Sequence, residues 1–165
     1  MAALPLHFKL MGEGPPLIIL HGLLGSLDNW ISIGKRLSTH YQVVLVDQRN
    51  HGKSPHDKAH DYNVMAADIN LLMQTLKWDD ALFIGHSMGG KVVMQLCESY
   101  NLVKKAIIVD IAPKAYSGDH ESIFKALQQF PVSTISNRAQ AEDLLSIDIP
   151  DWGVRQFLLK NLVRQ

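Results

Sequence analysis

The amino-acid sequence predicts an α/β fold in which a parallel sheet is covered by helices on both faces. Two observations predict it. Four short apolar runs, 16–20, 41–46, 81–84 and 106–109, lack the alternation of a strand with one wet face. Each therefore reads as a strand buried on both sides. Between them lie segments whose apolar residues recur every three or four positions, the spacing of helices that return the chain to the same end of the sheet.

Taken in order, a strand around residues 6–11 is expected at a sheet edge. PLIIL (16–20) is a buried strand ending at His21-Gly22, and a helix over 27–39 follows with Ser26 as its N-cap. YQVVLV (41–46) is β-branched and ends at Asp47. Beyond the polar loop DQRNHGKSPHDKAHDY, Met65, Ile69, Leu72, Met73 and Leu76 mark one face of a helix that Asn63 is placed to cap. ALFI (81–84) runs into a glycine-rich turn, 91–100 is the next helix, and AIIV (106–109) ends at Asp110. Past Pro113 the pattern changes: 122–130, 138–146 and 153–164 read as helices and no strand follows. The expected division is a β/α part over residues 1–114 and a helical segment over 115–165.

Sixteen basic and sixteen acidic residues cancel to a net charge of zero, with no block of either sign. A clustered basic excess is the usual footprint of a nucleic-acid partner, so none is expected. No membrane attachment is expected either. No apolar run is longer than that of 17–20, far short of the roughly 20 residues of a helical span. The N-terminus also lacks the charged start and unbroken apolar stretch of a secretory signal. The single cysteine, Cys97, excludes an internal disulfide framework. At helical spacing from Val93, Leu96 and Tyr100 it is expected as a core thiol. These features point to a cytoplasmic protein.

The stretch FIGHSMGGKV (83–92) admits two parses. As G-x-x-x-x-G-K it approaches a phosphate-binding loop, but that loop needs Ser or Thr after the lysine to bind magnesium, and residue 92 is Val. As G-x-S-x-G it is a nucleophile elbow, in which Ser87 sits at a strained strand-to-helix turn that exposes its hydroxyl. Such a turn has room only for small residues two before and two after the serine, and Gly85 and Gly89 supply them. The elbow places the N–H of Met88 at a helix N-terminus, where it can stabilise negative charge. A second donor comes from the loop after an earlier strand; in HGLLG (21–25) the N–H of Leu23 is the candidate.

With these residues in place, the chain resembles the α/β-hydrolase superfamily, and more narrowly the small serine esterases of the YbfF type. The matching stretches are HGLLGSLDNW (21–30), VDQRNHGKSP (46–55), FIGHSMGGKVVM (83–94) and VDIAPKAY (109–116), with a weaker echo in VRQFLLKNLV (154–163). The resemblance implies hydrolysis of small acyl esters or thioesters through an acyl-serine intermediate, with no cofactor and no metal. It implies Asp110 as the acid of a triad, although the same position can serve to fasten the turn before Pro113. Asp47, Arg49 and Asn50 match the family as residues that hydrogen-bond the loop beside the sheet.

The triad order in this fold is serine, acid, histidine. Of the histidines at 7, 21, 40, 51, 56, 60, 86 and 120, only His120 follows Ser87. It opens the helical segment, where it serves as a base only if that segment folds back over Ser87. His86 adjoins the nucleophile and is expected to diverge from it, and nothing local orients His51. The expected base is therefore missing, and a serine hydroxyl without one is a poor nucleophile. The expectation is a C-terminally incomplete α/β-hydrolase fold ending in a helical cap segment, weakly active or inactive. Leu24, Phe124, Leu127 and Phe157 are expected to line an acyl pocket. The strand ending at Asp110 is expected at an exposed sheet edge, open to self-association. The alternative is a non-catalytic protein that keeps the fold to bind a ligand or partner.

Overall fold

The computed structural model describes residues 2–116 and 120–162. The chain divides into two compact units, Met1–Pro113 and Lys114–Gln165. In the first, β1 (Phe8–Met11), β2 (Pro16–Leu20), β3 (Gln42–Val46), β4 (Ala81–His86) and β5 (Val103–Val109) form one sheet in the order β1-β3-β2-β4-β5. β2 to β5 are parallel, whereas β1 runs antiparallel to β3. Only residues 12–15 link β1 to β2, far fewer than the dozen or so of a parallel crossover, so the chain must reverse there.

The apolar runs are continuous because the sheet is buried on both faces. Ile18, Leu20, Val44, Val46 and Phe83 point to one face and pack with residues of α2 (Tyr62–Leu76) and α3 (Met88–Ser99). Leu17, Ile19, Val43 and Leu45 point to the other, against Leu27, Trp30 and α1 (Ile31–Leu37). Each fully buried Leu, Ile or Val contributes about 1.5–3 kcal/mol relative to an exposed one. The two-sided core therefore fixes strand register before any polar contact is considered.

Three local expectations are corrected. The helix expected over 27–39 is a 3-10 turn, Leu27–Trp30, followed by α1, with Ser26 in the N-cap position and its N–H donating to Asn29 Oδ1 at 2.7 Å. The cap of α2 is Asp61 rather than Asn63: its carboxylate accepts the N–H groups of Asn63 and Val64 at 2.9 and 3.1 Å. Asn63 is the second helical residue, where its own N–H needs the acceptor. Cys97 is exposed rather than buried. Val93 and Leu96 fill the sheet-facing stripe of α3, and the residue after Leu96 is rotated about 100° away from it.

The second unit holds α4 (Glu121–Gln129), α5 (Arg138–Asp148) and α6 (Trp152–Leu158), with short 3-10 turns at Val132–Thr134 and Leu159–Asn161. Ala126, Ala141, Leu145, Ile149, Leu158 and Leu159 are its buried residues. Arg155 ties α6 to α5, donating to Glu142 Oε1 at 3.0 Å and to the carbonyls of Ile149 and Pro150. The helix expected over 153–164 ends at Leu158 and continues as the 3-10 turn; residues 163 and 164 lie outside the described residues. β5 pairs with β4 on one side and, among the described residues, with no strand on the other; its Ile107 is 61% exposed.

Candidate active site

The strand order reverses between β2 and β4: the chain leaves β2 toward β3 on one side, and leaves β4 toward β5 on the other. At such a switch point the loops beyond the carboxyl ends of the strands diverge and leave a crevice. The loop after β2 is His21–Gly25 and the turn after β4 is centred on Ser87. Ser87 has φ 49° and ψ −116°, a strained region for a residue with a Cβ. Its N–H donates to the carbonyl of Val109 at 3.0 Å, and its carbonyl accepts from the N–H of Lys91 at 3.2 Å. These bonds fix the serine between the end of β5 and the start of α3.

The glycines around it are sterically required. A methyl at Gly85 would lie 2.6 Å from the Gly89 carbonyl oxygen, and one at Gly89 would lie 2.5 Å from that of Leu20. Gly90 packs against the Ile111 side chain, which a methyl would meet at 2.6 Å. The glycines thus serve close approach of α3 to the strands, and Val92, fully buried, offers no hydroxyl to a magnesium ion. The phosphate-loop parse has no support in this geometry.

Gly22 abuts the serine: a methyl there would lie 3.3 Å from Ser87 Cβ and 3.0 Å from His86 Nδ1. Residues 22–25 form a turn closed by the Gly25 N–H to Gly22 carbonyl bond of 3.0 Å. Leu24 has φ 59°, and its N–H donates to His51 Nε2 at 3.1 Å. Among the described residues neither Leu23 nor Met88 has an acceptor for its backbone N–H. Met88 opens α3, where a first-turn N–H has no helical partner.

Asp110 follows β5 with φ 55°, and its side chain is 86% exposed. The His86 ring lies near it, with Nε2 3.9 Å from Oδ2, beyond hydrogen-bond reach. The carboxylate makes no hydrogen bond among the described residues, so it does not fasten the turn before Pro113.

His51 corrects an expectation. It is oriented locally: Nδ1–H donates to the Arg49 carbonyl at 2.8 Å while Nε2 accepts from Leu24. With both nitrogens engaged it has no lone pair to offer Ser87. His21 is held alike, donating from Nδ1 to the Gly22 carbonyl at 2.8 Å and accepting the Gln48 N–H at Nε2. Burial pushes its pKa down to about 4, and burial lowers those of His51 and His60 too. No described imidazole hydrogen-bonds the Ser87 hydroxyl. His120 stands before α4 in the second unit and is exposed.

The remaining polar residues frame the loops. Asp47 accepts the N–H groups of Leu27 and Lys53 and the Nδ1–H of His7, at 2.8, 3.0 and 2.8 Å. Arg49, buried, pairs with Asp68 through Nε and Nη2 at 2.6 and 2.7 Å and donates to the Ala59 and Val64 carbonyls. Asp68 also accepts the Leu4 N–H at 2.6 Å. Sequence reasoning missed this partner because Asp68 sits on a helix face among apolar residues and carries no motif. Of the residues expected at an acyl pocket, Leu24, Leu127 and Phe157 are half-buried and Phe124 is exposed.

These features agree with what the chain is similar to. The alpha/beta hydrolase fold family matches residues 15–144, and the chain belongs to that family. It is 39% identical over 150 residues to esterase YbfF of Escherichia coli, covering 90% of this chain and 59% of that protein. It is 42% identical over 165 residues to the sn-1-specific diacylglycerol lipase ABHD11 of Danio rerio, covering 93% of this chain and 51% of that protein. A solved structure, a marine microorganism esterase, superposes with a TM-score of 0.94 at 43% identity, covering 99% of this chain and 66% of that one. The chain thus spans between half and two thirds of the length of these relatives. No described helix is long and apolar enough to cross a membrane.

Proposed function

We propose that the first unit carries the nucleophile and oxyanion side of a serine hydrolase acting on carboxylic esters or acyl-thioesters. The observation that supports it most is the conformation of Ser87: a serine at φ 49°, pressed against Gly22. Next in sequence to these two residues are Met88 and Leu23, whose N–H groups have no acceptor among the described residues, and open donors of this kind suit a carbonyl whose oxygen becomes negative on attack. Ser87 Oγ would form the acyl bond, the two N–H groups would hold the oxyanion, and Asp110 would orient the imidazole that accepts the serine proton. The exposed, unbonded carboxylate of Asp110 is consistent with an acid awaiting that partner.

The ester class rests on relatives named as esterases and lipases. Leu24 is the side chain of the first unit that we assign to the acyl group. Because no described imidazole reaches Ser87, slow turnover is expected of the 165-residue chain. The same observation favours a second reading, a hydrolase fold kept for ligand or partner binding. Hydrolysis of p-nitrophenyl butyrate by the chain and by Ser87→Ala separates the two. Turnover lost in the variant supports the enzyme; equal background rates in both favour the binding protein.

Self-association is the partner we propose, by pairing of β5 edges between copies, since Ile107 is exposed on a strand with one neighbour among the described residues. Sedimentation velocity of the chain and of Ile107→Lys tests it: the dimer weakens in the variant, and a chain monomeric at all concentrations removes the proposal.

A further inference from the structure

The turn that carries Leu23 is held by two imidazoles, one donating to it and one accepting from it. His21 Nδ1–H donates to the Gly22 carbonyl, at one end of the turn, and His51 Nε2 accepts the N–H of Leu24, in its middle. Each ring is anchored at its other nitrogen, His21 by the Gln48 N–H and His51 by the Arg49 carbonyl. The two rings lie 5.1 Å apart, and both side chains are buried. Both must be neutral and carry the proton on Nδ1, because Nε2 faces an N–H in each case.

Leu24 is a leucine at φ 59°, a conformation disfavoured for a residue with a branched side chain. Such a conformation needs support, and the bond to His51 supplies a hydrogen bond at that backbone N–H. Were Leu24 to relax, the peptide joining it to Leu23 would turn, and the 22–25 turn that carries the Leu23 N–H would change shape. We propose that His51 is a positioning residue for the oxyanion site, which by accepting the Leu24 N–H holds the turn so that the Leu23 N–H faces the carbonyl attacked by Ser87. This role rests on the serine-hydrolase reading. It deepens that reading by naming the group that aligns a donor without touching substrate.

The clamp has a chemical consequence. A proton on Nε2 converts the acceptor into a donor facing another donor, so the clamp exists only in neutral His51. The charged and titratable groups around it are His21, His56, His60, Asp47 and Arg49. Burial opposes the proton on His51 most, joined by His60 and His56, while the bond to the Arg49 carbonyl and the Asp47 carboxylate favour it. The clamp therefore stays closed at neutral pH and opens in acid.

Two measurements on the full chain test this. The first is amide hydrogen exchange at Leu24 with 15N spectra of the His51 ring, in the wild type, His51→Ala and His51→Gln. The expected result is a protected Leu24 amide, an Nδ1–H tautomer, loss of protection in His51→Ala, and its recovery in His51→Gln, whose side-chain oxygen accepts an N–H. A Leu24 amide that exchanges equally fast in all three overturns the proposal. The second is the pH profile of p-nitrophenyl butyrate hydrolysis. In His51→Ala kcat falls on the order of tenfold with KM little changed, less than the hundredfold or more of a deleted donor. In His51→Gln kcat returns and the acid limb moves to lower pH, because the amide that replaces the imidazole does not titrate. A kcat unchanged in His51→Ala, where Ser87→Ala is inactive, also overturns it. If Ser87→Ala matches the wild type, the hydrolase reading fails by itself, and the exchange measurement still decides whether the clamp exists.

Discussion

A methyl group placed on Gly89 lies 2.5 Å from the carbonyl oxygen of Leu20 and 2.7 Å from that of His21. The first turn of α3 therefore rests directly on the backbone at the end of β2. Backbone oxygens cannot swing away as a side chain would. Gly89→Ala gains about 1 kcal/mol of helix propensity, but the clash must move α3 or β2, and overpacking of this kind costs about 1–3 kcal/mol or more. A net loss of stability is expected, read as a lower urea midpoint, with the Ser87 turn displaced. A midpoint at or above the wild type would show that the two elements do not press on each other.

Ser87 occupies a backbone region that glycine enters without strain. Strain of this kind costs about 1–3 kcal/mol. Ser87→Gly is expected to raise the melting temperature by several degrees and to abolish any ester turnover. The same variant thus separates the structural cost of the turn from its chemistry. Calorimetry beside the butyrate assay reads both.

Asp68 and Arg49 are each about 1% exposed at the side chain. The arginine is held charged above its ordinary range, first by its hydrogen bonds to Asp68. Removing one partner of such a pair leaves a buried charge uncompensated and costs about 3–5 kcal/mol. Asp68→Ala is therefore expected to be among the most destabilising changes in the first unit. It also deprives the Leu4 N–H of its acceptor, so exchange at the Leu4 amide should quicken. Denaturant titration and hydrogen exchange measure the two effects.

His21 is neutral in the folded chain and has a pKa near 4, against an ordinary 6.5 once unfolded. Between those values the unfolded chain binds the extra proton, so stability rises with pH. The His21 contribution is complete above about pH 6.5 and is lost as pH falls toward 4. A shift of this size corresponds to a loss on the order of 3 kcal/mol. The urea midpoint at pH 7.5 should exceed that at pH 4.5, and His21→Gln should flatten the difference. Equal slopes in both would assign the acid sensitivity to other groups.

The strands were legible because each buries both faces, so 16–20 and 81–84 appear as uninterrupted apolar letters. The serine turn was legible because its steric demands admit few residues at Gly85 and Gly89. Cap assignments were less so: Asp61 and Asn63 are both capping residues, and only the backbone register of α2 decides between them. Cys97 was misplaced for a related reason, since helical spacing gives a stripe but not its width.

By itself, then, the sequence determined the two-sided parallel sheet, the strained serine at a strand end, and the family to which both belong. These depend on local patterns, apolar continuity and small residues at fixed spacing, that need no partner distant in the chain. Tertiary structure alone decided that β1 runs antiparallel, that Asp68 neutralises Arg49, and that His51 grips Leu24 from 27 residues away. Each of those depends on which loops the sheet order brings together. A hydrogen bond between two loops leaves no periodicity in the sequence for a reader to find.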